Sequence, residues 1–63
     1  MKDAERLALA ARVRDACVAA ALAGHEEAAI AGLCSEGALE AAISAIQMLD
    51  LENLIDSAPP GDL

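Results

Sequence analysis

Cys17, His25 and Cys34 are the side chains in this sequence that could ligate a soft metal, carry thiol chemistry or change charge near neutral pH. Zinc sites gather four such ligands, usually with a close-set pair two to four residues apart. Here seven residues separate Cys17 from His25 and eight separate His25 from Cys34, so there is no pair. No metal ligands are assigned within one chain and no cofactor is expected. A symmetric dimer could still bring Cys34, His25, Glu26 and Glu27 together twice. Cys34 is the candidate reactive thiol, because it stands just before an expected helix start where the dipole and free amides favour a thiolate. Glu36 and Glu40 lie one turn apart, but paired carboxylates do acid–base or metal work only when they line a pocket. The Glu-x-x-His pattern of di-iron bundles is absent, and a solvated acidic face is the simpler reading. A glycine-rich phosphate loop, a Ser-His-Asp set and any aromatic stacking platform are missing too. No catalytic or cofactor-binding residues are assigned, and an enzyme acting alone is not expected.

The elements that would position these residues are helical. Residues 2–31 contain no proline and are rich in Ala, Leu, Arg and Glu, the strongest helix formers. One long first helix is predicted, running through Gly24 because His25, Glu26 and Glu27 supply no fresh N-cap after it. Gly32 is the expected stop, with Leu33 folding back as the hydrophobic contact of the cap. A second, shorter helix is predicted from Ser35 to Leu49, with Ser35 as N-cap and Glu36 at the positive end of the dipole. Asp50 could cap a short third turn containing Leu51, Leu54 and Ile55. Ser57-Ala58-Pro59-Pro60-Gly61 ends any helix. The expected organisation is one helical hairpin domain over residues 1–57 and a flexible tail over 58–63.

Helical projection gives the first helix two apolar sides. Leu7, Ala11, Val18, Leu22, Ala29 and Leu33 share one, while Leu9, Val13, Cys17, Ala20 and Ala31 share a roughly opposite one. The expected intrachain core sets Leu7, Val18, Leu22 and Leu33 against Leu39, Ile43, Ile46 and Leu49 of the second helix. Leu9, Val13 and Cys17 are then left as the expected dimer interface. A further pattern is a ridge of small residues, Ala16, Ala20, Gly24, Ala28 and Gly32, at every fourth position. Such a ridge lets two backbones approach closely. The fold class expected is all-α, a helical hairpin that dimerises into a four-helix bundle.

Composition points the same way. The hydrophobic fraction is 57%, but 17 of the 63 residues are alanine and none is aromatic, so a single chain has little with which to build a core. Chains this short usually borrow stability from disulfides, metals or oligomerisation, and oligomerisation is the expectation here. The net charge is −7, with all four bases within residues 1–14. Nucleic-acid binding is disfavoured, whereas pairing with a second copy or docking on a basic protein surface fits. No secretory signal and no apolar run near the ~20 residues of a membrane span is visible, so a cytoplasmic protein with reduced thiols is expected.

The segment Gly32-Leu33-Cys34-Ser35-Glu36-Gly37-Ala38-Leu39-Glu40-Ala41-Ala42, with Met48-Leu49-Asp50-Leu51 after it, is similar to a group of short bacterial all-helical proteins of unsettled function. Some of these are loosely labelled acetyltransferases. The resemblance covers the second half of the chain and implies no mechanism. An acyl-CoA pyrophosphate loop and a larger mixed α/β domain do not fit in 63 residues. The functional expectation is a small acidic helical interaction or accessory subunit acting as a homodimer. Two alternatives stand beside it: a redox or metal-binding accessory protein using Cys34 with Cys17 or His25, and an acidic inhibitor or antitoxin of a basic partner.

Overall fold

The computed structural model describes residues 2–56 as three helices, with no strand among them. Helix α1 spans Asp3–Ile30, α2 spans Ser35–Gln47 and α3 spans Leu51–Asp56. The described chain is therefore all-α. Its radius of gyration is 14.5 Å and its extents are 45 × 16 × 14 Å, against roughly 11 Å for a compact globule of this length. It is a rod, whose length is set by α1, about 42 Å at 1.5 Å per residue. The proposed domain end at residue 57 and the tail over 58–63 lie outside the described residues.

Local signals fix most helix ends. The Glu5 carboxylate accepts the Lys2 amide at 3.1 Å, satisfying one orphan donor at the start of α1. The helix continues through Gly24 to Ile30, and Gly32, two residues past its end, has a φ of +92°. The Leu33 amide donates to the Ala28 carbonyl and the Gly32 amide to the Ala29 carbonyl, both at 3.0 Å. This crossed pair is the Schellman motif, and it needs a left-handed residue at Gly32. At the third helix the Asp50 carboxylate accepts the Asn53 amide at 3.0 Å, as the capping expectation requires.

Two boundaries differ from expectation. The N-cap of α2 lies one residue earlier than expected: it is Cys34, with extended backbone, and Ser35 is already helical. The Ala38 amide reaches the Cys34 carbonyl at 2.8 Å, which closes the first turn there. The Schellman motif uses up Gly32 and Leu33, so the chain leaves the extended region at Cys34 and the hydroxyl at Ser35 arrives one position late. Helix α2 also stops at Gln47 rather than Leu49, and the chain turns before α3.

The larger correction concerns which side of α1 meets α2. The buried residues are Ala28, Ala38 and Ala42, at 7%, 2% and 8% exposure. At Gly24 the two backbones almost touch, since an added Cβ would lie 2.9 Å from the Ala41 carbonyl oxygen and 3.0 Å from the Ala45 Cβ. The seam is thus built on the small-residue ridge, with Ala16, Ala20 and Gly24 half-buried along it. Leu9, Val13 and Cys17, expected to face a partner chain, share this stripe and are half-buried within one chain. Leu7, Val18, Leu22, Leu33, Leu39, Ile43 and Ile46, expected as the intrachain core, are exposed. Of that set Leu49 alone is half-buried. Close packing around Gly24 explains the choice: alanine and glycine let α1 and α2 approach far enough that no large side chain fits between them there.

Candidate interaction surface

Small residues inside leave the large aliphatic residues outside. Leu22 is 68% exposed, Ile30 80% and Met48 79%, and Leu39, Ile43, Leu51 and Ile55 each show about half of their surface or more. Scattered exposed leucines need no explanation, but a contiguous set does. At 100° per residue, Leu39, Ile43 and Ile46 lie a quarter to a third of a turn past the seam on α2, and Leu7 and Val18 lie similarly on α1. Because α1 and α2 run antiparallel, the same rotation leads to the same side of the hairpin on both helices. One long side of the rod therefore carries Leu7, Val18, Leu39, Ile43 and Ile46, with Leu22 at its margin.

The opposite side is shallower. Gly24, Glu27, Ala28, Ala41, Ser44, Ala45 and Met48 line an open depression of about 430 Å³ over the seam. A similar hollow of about 400 Å³ lies between Asp3, Arg6, Leu7 and Ala10. Neither encloses a ligand-sized volume with convergent polar groups of the kind that marks a small-molecule site. Charge adds little to the fold: Arg6 and Asp3 form an exposed pair at 3.8 Å, a class worth about 0–1 kcal/mol.

The chemistry-bearing residues stay apart. Cys17 is half-buried, while His25 and Cys34 are exposed. From Cys17 to the end of α1 at Ile30 the helix rises about 20 Å, so the two thiols share no site within one chain. Among the described residues no group of three His, Cys, Asp or Glu side chains is placed to hold a metal ion. Glu36 and Glu40 are exposed and line neither hollow. Cys34 has a distinctive environment, although no side-chain hydrogen bond closes the cap there. The amides of Gly37 and Glu36, directed at the sulfur from the first turn of α2, hold its thiol pKa below the ordinary value. The one-residue shift of the cap is what brings the thiol to these amides, and the sequence offers no sign of that shift.

No helix among the described residues is long and apolar enough to cross a membrane. Comparison with protein-family models, with curated proteins and with solved structures gives no match.

Proposed function

We propose that this chain is a non-catalytic helical interaction protein that works as a homodimer, two hairpins closing into a four-helix bundle. The carrying observation is the inversion of size across the fold: alanine and glycine fill the seam while Leu7, Val18, Leu39, Ile43 and Ile46 face outward on one side. A seam of alanines removes little apolar area from water, and a second copy of the same face supplies the missing burial. The acids left on the outside of the bundle then suit a larger protein with a basic surface, in a reducing compartment such as the cytoplasm.

Sedimentation equilibrium tests this directly, with Ile43→Asp as the variant and Ser44→Asp, on the opposite side of the hairpin, as a control. Ile43 is 47% exposed in the single chain, so burying the remainder contributes about 1 kcal/mol per copy. Replacement removes this twice and adds two carboxylates to a dry interface, so the dimer should weaken by at least ~100-fold. Ser44→Asp should leave the mass unchanged. A wild-type chain that stays helical and monomeric at 100 times the concentration of a typical micromolar dissociation constant would end the proposal.

A second reading is favoured by the place of the exposed Cys34 thiol at the N-cap of α2, where the first-turn amides favour the thiolate. It makes Cys34 a redox or nucleophilic centre of an accessory protein. Alkylation of Cys34 that is as fast at pH 6 as at pH 8 would support it, and a thiol unreactive at both would dismiss it.

A further inference from the structure

A second copy can cover the aliphatic side of the hairpin in two ways, with the two interhelical loops at the same end of the bundle or at opposite ends. We propose that the loops lie at opposite ends, with α1 of one copy antiparallel to α1 of the other; this rests on the homodimer proposed above.

Charge is the first support. Helix α3 follows α2 along α1 toward its N-terminal half, so residues 2–14 and 50–56 form the open end of the rod. That end carries Lys2, Arg6, Arg12 and Arg14 against Asp3, Glu5, Asp50, Glu52 and Asp56, a balance of one negative charge. Residues 15–49 form the loop end, with Asp15, Glu26, Glu27, Glu36, Glu40 and no Lys or Arg. Loops together would set five negative charges against five within about one or two Debye lengths of ~8 Å. Loops apart set five against one, at both ends.

Length is the second. Helix α1 has 28 residues and α2 has 13, roughly 42 Å against 20 Å. Pairing α1 along α1 puts a second long helix against part of each overhang. The outward residues of α1 also match themselves in this direction. Val18 and Leu22, both exposed, stand equidistant from position 20. An antiparallel pairing centred there brings Val18 of each copy to the level of Leu22 of the other, and sets residues 10–30 of one α1 along the same residues of its copy.

The exposed Cys34, at the loop end, reports the arrangement. A nitroxide is attached to Cys34 in the full chain carrying Cys17→Ala, and the distance between the two labels is read by pulsed electron paramagnetic resonance. Helix α1 ends at Ile30, ten residues from the centre, and Cys34 stands just across the turn at about that level, so the expected separation is about 30–35 Å, twice ten residues at 1.5 Å each plus the width of the turn. A separation below about 25 Å would place the loops together and overturn this inference while leaving the homodimer intact. A monomeric mass for the labelled and the wild-type chain would overturn both. Should Cys17→Ala lower the helical circular dichroism, Cys17→Val gives the same reading with a fuller seam.

Discussion

Replacing Gly24 with alanine should destabilise the hairpin, although alanine is the better helix former by about 1 kcal/mol in a helix interior. The new Cβ would stand 2.9 Å from the Ala41 carbonyl oxygen, 3.0 Å from the Ala45 Cβ and 3.3 Å from the Ala42 Cα. Two of these atoms are backbone and the third is a methyl without a rotamer to change. Relief requires α1 and α2 to separate by several tenths of an ångström, which loosens the seam at Ala28, Ala38 and Ala42. Overpacking of this kind costs about 1–3 kcal/mol. The net effect should be a loss of about 1 kcal/mol. Gly37 is the matched control, because a Cβ there would meet Leu33, nearest at its Cδ2, 3.2 Å away. Leu33 is 47% exposed and free to rotate, so Gly37→Ala should instead stabilise by up to about 1 kcal/mol through propensity. Urea denaturation followed by circular dichroism, at one fixed protein concentration because association adds to stability, reads both signs. If Gly24→Ala raised the midpoint as much as Gly37→Ala did, the close approach of α1 and α2 would be wrong.

Gly32→Ala should cost about 1–2 kcal/mol in the same assay, since φ at this position is +92° and a Cβ is strained there with no neighbour involved. Val13→Asp should destabilise the hairpin itself by about 1–3 kcal/mol, read as a lower urea midpoint, because Val13 is half-buried within one chain. A Val13→Asp chain with full helical stability and only its dimer lost would restore the outer-face expectation for Leu9, Val13 and Cys17. For Cys34 the sign follows from its lowered folded pKa: the thiolate is favoured by the fold, so its stabilisation is complete above the unfolded thiol pKa and disappears as pH falls through the folded one. Alkylation at Cys34 should accordingly reach half its maximal rate at a lower pH than for a free cysteine peptide, and Gly37→Pro, which removes one of the two amides, should move that midpoint up.

Helix existence and most of the punctuation were legible from residue types. The proline-free, alanine-rich run gives α1, Gly32 gives its stop, and Asp50 gives the start of α3, because each depends on backbone preferences within a few residues. The N-cap of α2 was misplaced by one position. Serine is the better capping residue, but the geometry of the preceding Schellman turn decides where the backbone enters the helix. That shift is also why the thiol, rather than the hydroxyl, sits over the amides of Glu36 and Gly37.

The amino-acid sequence by itself determined an all-helical chain with two apolar sides on its long helix, and tertiary structure alone decided which side faces α2. Periodicity registers that Leu7, Val18 and Leu22 lie on one side and Leu9, Val13 and Cys17 on another, and both sides are apolar enough to bury. It does not weigh large residues packed loosely against small residues packed tightly. That comparison depends on how closely two particular helices approach, and here Gly24 lies against the backbone at Ala41 and Ala42. At such a distance only alanine and glycine fit, so Leu39, Ile43 and Ile46 are turned outward there, while Leu9 and Leu49 are half-buried farther along the rod.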